Sequence, residues 1–357
     1  MKIAVIPAAQ LSPAQVDAWS QIQRGCEELA SPYFRPEFTA AVASVRGDVE
    51  VGVLEEGDEI LGFFPYQRGR AGVARPVGGR LSDFQGVVSR PKVALDATRL
   101  LQGCRLRAWH FDHLLVSQEP WRPYHWLVEG SPYVNLSGGF SAYLARQGRS
   151  TKNPFSHIAI KAGKLERQVG PLRFEADVRD RKVLQTLIEW KVRQYLRSGA
   201  TNVFAFPWTR ALLDRIFACQ GDAFAGELSA LYAGDQLVAA HFGMRSYGVL
   251  HMWFPSYDPR FAKYSPGLIH DLELIKAAAA RGVQRVDYGK GMTGQKEYLM
   301  SAATQVAVGS MDLRLLAGPV RRQWHFLYQW ARESPLRKPA RVPARILYRV
   351  REWFAFR

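Results

Sequence analysis

Hydrophobic spacing along this 357-residue chain switches between a period near two and a period near 3.6, which predicts a mixture of strands and helices. In residues 1–135, PAQVDAWSQIQRGCEELA (13–30) has helical spacing with Pro13 near its start. VEVGVLEEGDEILGFFPYQRG (49–69) reads as two strands around a Glu-Gly-Asp turn, the second closed by Pro65. GGRLSDFQGVV (78–88) reads as a Gly-rich turn, and RLRAWHFDHLL (105–115) as another strand. Residues 136–170 form a basic, helix-prone connector. Beyond it lie a strand (173–178), an amphipathic helix ending at Gly199 and a helix around 208–220. Three strands fill 226–258, turning at AGDQ and RSYG. A helix over 263–282 then feeds the strand VQRVDYG, and a last apolar run covers 304–316. The second half therefore reads α-α-β-β-β-α-β. Residues 50–68 and 230–246 are both strand, Gly-Asp turn, strand, which hints at two copies of one α/β unit.

Composition narrows the class. A chain that is 47% hydrophobic can bury sizeable cores and is not disordered. Cys26, Cys104 and Cys219 are widely spaced with no paired metal-type spacing, which suggests a reducing compartment and no disulfide framework. MKIAVIPAAQ lacks the long apolar core of a secretory leader, and no run of about eighteen uncharged apolar residues occurs, so the expectation is a cytoplasmic protein. The net charge of +16 is uneven: residues 319–357 hold ten Lys or Arg against Glu333 and Glu352, a net +8. A basic tail on an anion-binding enzyme fits that distribution better than a general nucleic-acid surface.

The stretch KYSPGLIHDLELIKAAAARG (263–282) writes out a helix start and stop. Ser265 suits the N-cap, Pro266 the first helical position, and Gly267 leaves room beside the backbone. Leu268, Leu272, Ile275 and Ala279 form one apolar stripe, and Gly282 ends the helix. The free N–H groups of such a start, with Arg260, Lys263 and Tyr264 just before it, make either an ordinary capped helix or a seat for a pyrophosphate.

Several segments together resemble the GNAT acyltransferase superfamily, and more narrowly the bacterial family of acetyltransferases involved in cellulose biosynthesis, related to Fem-type aminoacyl transferases. They are LVAAHFGMRS (237–246), MWFPSYDPRFAKYSPG (252–267), GVQRVDYGKGMTGQKEYLM (282–300), SPYFRPEFTAAVAS (31–44), GDEILGFFPYQR (57–68), DFQG (83–86) and EWKVRQYLRSG (189–199). The resemblance implies an α/β (α+β) fold of two GNAT-like lobes, with mixed sheets flanked by helices and a basic helical tail. The lobes would be 1–135, degenerate, and 171–318, holding the acyl donor, joined by the connector 136–170 and followed by the tail 319–357. It implies acetyl-CoA or another acyl-CoA as co-substrate, with its pyrophosphate at Arg260, Lys263, Tyr264, Ser265, Pro266 and Gly267. It also implies that a strand N–H where two strands splay apart, expected within Phe242–Met244, polarises the thioester carbonyl. The family's usual Tyr-Lys ending is altered here to Gly294-Gln295-Lys296-Glu297-Tyr298.

Acyl transfer needs a base for the acceptor, polarisation of the carbonyl and a proton for the leaving thiolate. His241, inside an apolar strand, is either a packing residue or that base. Asp287 is a second candidate base, or a cap on the turn that follows it. Tyr257 is the candidate contact to the donor sulfur. Asp83, Asp258 and Lys296 are candidate substrate-binding residues, against a plain turn for Asp258 and a solvated side chain for Lys296. His110, Asp112 and His113 lack the further ligands a metal site needs. The leading expectation is an N- or O-acyltransferase acting on an amine or hydroxyl acceptor of cell-surface polysaccharide or lipid metabolism. The alternatives are a Fem-like transferase using aminoacyl-tRNA, and a non-catalytic adaptor at a membrane surface. Arg mixed with Trp, Phe and Tyr in 319–357 fits peripheral membrane contact, a helix packed on the body, or stacking on RNA bases.

Overall fold

The computed structural model describes residues 1–147, 154–291, 295–315 and 317–333. The first half contributes strands β1 (Lys2–Pro7), β2 (Val49–Glu56), β3 (Glu59–Arg68), β4 (Val73–Arg75), β5 (Val88–Ser89), β6 (Ala108–Leu115) and β7 (His125–Asn135). Its helices are α1 (Pro13–Arg24), α2 (Pro36–Ala43) and α3 (Ala97–Gly103). The basic connector forms α4 (Gly139–Gln147) and α5 (Pro154–Val169). The second half contributes β8 (Leu172–Glu175), α6 (Arg181–Ser198), α7 (Pro207–Ala218), β9 (Ala225–Ala233), β10 (Gln236–Ser246) and β11 (Val249–Tyr257). It continues with α8 (Pro266–Ala280), β12 (Arg285–Asp287), α9 (Gln295–Leu299), β13 (Ala302–Asp312) and α10 (Ala317–Glu333).

All strands belong to one mixed sheet, ordered β1-β2-β3-β4-β6-β13-β7-β12-β11-β10-β9-β8, with β5 beside β3. Pairings are antiparallel except β4 with β6 and β11 with β12. The last strand, β13, crosses back and inserts between β6 and β7, so the expected boundary near residue 135 is not a break in the sheet. Alternation along the strands divides the core. Val53, Phe63, Val306, Ala230 and Phe242 share one cluster with Trp19, Phe38, Leu187 and Leu212, which puts α1, α2, α6 and α7 on one face across both halves. On the other face, Leu231, Val238 and Leu250 pack with α4, α5 and α8, while Phe64, Trp109 and Ala307 pack with α3.

Local chemistry explains the element ends. Ser12 and Gln15 form a reciprocal capping box on α1. Asp180 caps α6, and Gly199 ends it in the left-handed region at φ 70°. Gly57 and Gly234, at φ 60° and 55°, turn the two matching hairpins β2–β3 and β9–β10.

Some expectations need correction. Pro65 does not close β3, which runs on to Arg68; its missing N–H is tolerated because β5 pairs with residues 62–63 and β4 with residues 67–68, leaving 64–66 unpaired on that side among the described residues. The buried side of α8 includes Ile269, Leu272, Ile275 and Ala278, so Leu268 and Ala279 lie at its margin. Of the tail 319–357, residues up to Glu333 continue α10, and 334–357 lie outside the described residues. No helix among the described residues is long and apolar enough to cross a membrane.

Candidate active site

The sheet opens at one point in its second half. β11 and β12 run parallel over three pairs only: Val249 with Arg285, Leu250 with Val286 and His251 with Asp287. β12 stops at Asp287 and the chain turns through Gly289 at φ 70°, while β11 continues to Tyr257 with β10 as its partner. The open edge of β11 therefore begins beyond His251, and α8 starts shortly after that edge ends. This corrects the expected position of the carbonyl-polarising N–H: Phe242–Met244 lie on β10, whose two edges are paired with β9 and β11.

A bulge marks the open stretch. Phe242 faces Phe254 and Gly243 faces Met252, so Trp253 is the extra residue. Its backbone N–H donates to Nε2 of the buried His241 at 3.1 Å. Burial drives the His241 pKa well below the ordinary value, and the neighbouring His270, His251 and Lys191 add to the effect. His241 is thus a neutral ring whose Nε2 caps the bulge, one strand away from the opening.

At the vertex of the opening, two distant segments meet. Asp83 lies on the loop before β5 and accepts a hydrogen bond from His251 Nε2 at 2.9 Å. Its other oxygen is 3.5 Å from His113 Nε2. Gln85 pins this loop to β6: its Oε1 accepts from the N–H groups of Asp112 and His113, and its Nε2 donates to the Asp112 carboxylate. Burial raises the Asp83 pKa, but the His251 hydrogen bond and the nearby His113 and Lys296 outweigh it, so the carboxyl is held below its usual range. Gly289 is required here. A Cβ on it would lie 2.5 Å from Asp83 Oδ2.

The surrounding groups complete the site. Asp287 is buried and ion-paired to Arg285 at 2.7 Å, yet burial dominates and raises its pKa. Lys296 Nζ donates to the carbonyls of Gly289 and Lys290, and burial lowers its pKa against the pull of Asp83. Lys191, on α6, donates to the carbonyl of Pro255 at 2.9 Å on the open stretch of β11. Burial, with Lys296 nearby, pushes its pKa down to about 8. The phenol of Tyr195 is pushed up by burial and by Asp83. Tyr33 packs edge-on against His251 with ring centroids 4.9 Å apart. On the closed side of the vertex is a cavity of about 310 Å³, lined by Glu27, Glu28, Ser31, Arg285, Asp287 and Thr304 among others.

The structure brings Asp83, Asp287 and Lys296 together, and it adds His251, Lys191 and Tyr195, which sequence reasoning missed, and His113, which it had weighed only as a metal ligand. Tyr257 stands apart at the far end of β11, 38% exposed. Asp258 caps the 3-10 turn Pro259–Tyr264 by accepting from the Arg260 N–H, and it also holds the Arg260 guanidinium, so this pair fixes the loop. Tyr264 is buried, with its hydroxyl donated to Gln168 of α5 at 2.7 Å. Lys263 is exposed over the Tyr264 ring. Ser265 does occupy the N-cap position of α8, but in the left-handed conformation and without a side-chain capping bond; Pro266 is the first helical residue, and Gly267 is half-buried in the first turn. Lys263 and the backbone around Gly267 are the groups here that could hold an anionic donor.

Comparisons with known proteins bear on the fold. The family model described as an acetyltransferase (GNAT) domain matches residues 156–298. Among solved structures the chain is similar to FemX, at 10% identity and a TM-score of 0.58 over 90% of this chain and 99% of that one. It is also similar to a tandem GNAT protein from the clavulanic acid biosynthesis pathway, at 9% identity and a TM-score of 0.51 over 88% and 99%. No curated protein sequence matches it. Residues 156–298 thus match a GNAT acetyltransferase domain, and the chain as a whole shares the fold of these two structures.

Proposed function

We propose that the chain is an acyltransferase that moves an acyl group, acetyl first among the candidates, from acyl-CoA to an amine or hydroxyl acceptor. The observation that carries this reading is the vertex where β11 and β12 part, with the Asp83–His251 pair at its closed end and the start of α8 beyond its open end. Acyl-CoA would enter from the open side, its pyrophosphate near Lys263 and the Gly267 turn. The acceptor would come from the cavity on the closed side, held by Asp287. The resemblance to the cellulose-biosynthesis acetyltransferases supports an acceptor in cell-surface polysaccharide or lipid metabolism. An acyl-CoA donor, together with free Cys26, Cys104 and Cys219, supports a cytoplasmic site of action.

Each step has a group. With its Nε2–H donated to Asp83, His251 turns Nδ1 into an acceptor, and that atom is buried and without a hydrogen-bond partner among the described residues. That atom takes the acceptor's proton as the new C–N or C–O bond forms and the C–S bond breaks. The Lys191 ammonium, beside the open edge of β11, gives its proton to the departing thiolate. Asp83 holds the imidazole in the required tautomer and stabilises its charged form.

A thermal-shift titration with CoA, acetyl-CoA and longer acyl-CoAs tests the donor. Stabilisation that survives moderate salt supports the reading. No shift with any of them overturns it in favour of the second reading, an aminoacyl-tRNA-dependent transferase, which the +16 charge favours. That reading requires tRNA binding that weakens steeply with salt. A chain that binds no donor of either kind would be the non-catalytic adaptor.

A further inference from the structure

Exposed large apolar side chains are not spread evenly over this molecule. Among the described residues, thirteen are strongly exposed, and seven of them fall within Leu313–Trp330. Leu315 is 94% exposed, and Trp324 and Trp330 are 60% and 61% exposed. Such a concentration marks an interaction surface rather than ordinary scatter.

Four of the seven cluster toward one side of α10. Val320, Trp324 and Leu327 follow four- and three-residue spacing and form one line along the helix, with Trp330 beside it. His325 stands on the opposite side, and its ring packs against Trp126 of β7 with centroids 5.3 Å apart. Arg321 also reaches toward the body, where its charge depresses the His110 pKa. The amphipathic helix is therefore mounted in the reverse of the usual sense: His325 meets the sheet, and the indoles and leucine face out. A groove of about 490 Å³ runs beside Val320, Trp324 and Leu327, with Arg314 and Arg321 on its margin.

We propose that this face of α10 docks on an anionic lipid bilayer, lying flat in the headgroup region with Trp324 and Trp330 at the hydrocarbon boundary. Charge decides between a membrane and a second copy of the chain. The chain carries a net +16, so two copies repel one another, whereas an anionic leaflet neutralises the charge. Tryptophan suits the boundary because its ring is apolar and its N–H stays hydrated. Arginine stems cover apolar surface while their heads reach phosphate. The inference is independent of the acyltransferase reading, because it concerns a different surface.

The test is co-sedimentation of the full chain with vesicles of phosphatidylcholine alone and with phosphatidylglycerol added. The variant is Trp324→Ser/Leu327→Ser/Trp330→Ser, which leaves the charge intact. The proposal expects binding to the anionic vesicles, weakened about tenfold or more in the variant, with unchanged circular dichroism and CoA response. If the triple variant unfolds, Leu327→Ser alone is expected to give a smaller loss in the same direction. Equal binding of wild type and variant would mean that charge alone acts, and would overturn the docking face. So would absence of binding by the wild type, or a lipid-free dimer that the triple variant converts to monomer.

Discussion

His241→Leu and His241→Gln separate a structural ring from a catalytic one. The structure gives Nε2 a single task, accepting the N–H of the bulge residue Trp253 at 3.1 Å. Leucine fills the space but leaves that buried N–H without an acceptor, which costs about 1–3 kcal/mol. Glutamine offers an amide oxygen in the same region, so its cost should stay below about 1 kcal/mol. The two variants also differ in pH response. The folded-state pKa of His241 lies well below its unfolded value, so the unfolded chain takes the proton first. The ring's contribution is complete above about pH 6.5 and is lost as the pH falls below it. Glutamine has no such loss. Urea unfolding followed by tryptophan fluorescence at pH 7.5 and 5.5 should therefore show Leu clearly destabilised and Gln near wild type at the higher pH. Between the two conditions Gln should gain on wild type as the pH falls. A Leu variant as stable as wild type, or a Gln variant no better than Leu, would refute the bulge-cap role. If both variants lose turnover while stability holds, His241 is the base instead.

The vertex makes three further predictions. Asp83→Asn should lower acyl transfer by about 10²- to 10⁴-fold with donor binding retained, measured as thiol release, and near-normal turnover would remove Asp83 from the mechanism. Gly289→Ala should fall nearly as far, because its Cβ would displace the Asp83 carboxylate, and it should lose about 1–2 kcal/mol of stability for a left-handed alanine. The rate should decline above about pH 8 as Lys191 deprotonates, and Lys191→Met should be slower and lack that alkaline limb; an unchanged pH profile would exclude Lys191 as the proton donor. Gly267→Glu should abolish the thermal shift produced by CoA, since a carboxylate beside the first turn of α8 repels the pyrophosphate; an intact shift would place the donor elsewhere.

Periodicity exposed the second half well because its punctuation is local. Asp180 and Gly199 bracket α6, and Gly-Asp pairs mark the hairpins. β7 escaped notice for the opposite reason. HWLVEGSPYVN contains Gly130 and Pro132 and has a half-exposed burial pattern, so it lacks a clean strand signature. It is a strand because β13 pairs along one side and β12 along the other, and both partners lie far downstream. The site was legible only in part on the same grounds. His251 sits in VLHMWF, which reads as plain core, and nothing nearby suggests a carboxylate. Its partner is 168 residues away. The helix start at Ser265–Gly267 was readable, but the left-handed Ser265 and the bond from Tyr264 to Gln168 are set by packing against α5.

The contact between Asp83 and His251 depends on the whole middle of the sheet rather than on one loop. Gln85 ties the Asp83 loop to β6, β6 pairs with β13, β13 with β7, β7 with β12, and β12 with β11, where His251 stands. Each strand-to-strand link is a backbone ladder, so a 2.9 Å side-chain contact is carried by several strand registers, and a one-residue slip in any of them would turn its side chains to the other face. The insertion of β13 between β6 and β7 closes this circuit, because a strand of the second half cannot be withdrawn without parting two strands of the first. The second half by itself lacks Asp83, Gln85, Tyr33 and the Glu27–Ser31 wall of the cavity, although it contains the open strand edge and the start of α8. The open strand edge with the start of α8, and the Asp83 that holds His251, therefore come from different halves of the chain, and the sheet is the element that registers one against the other.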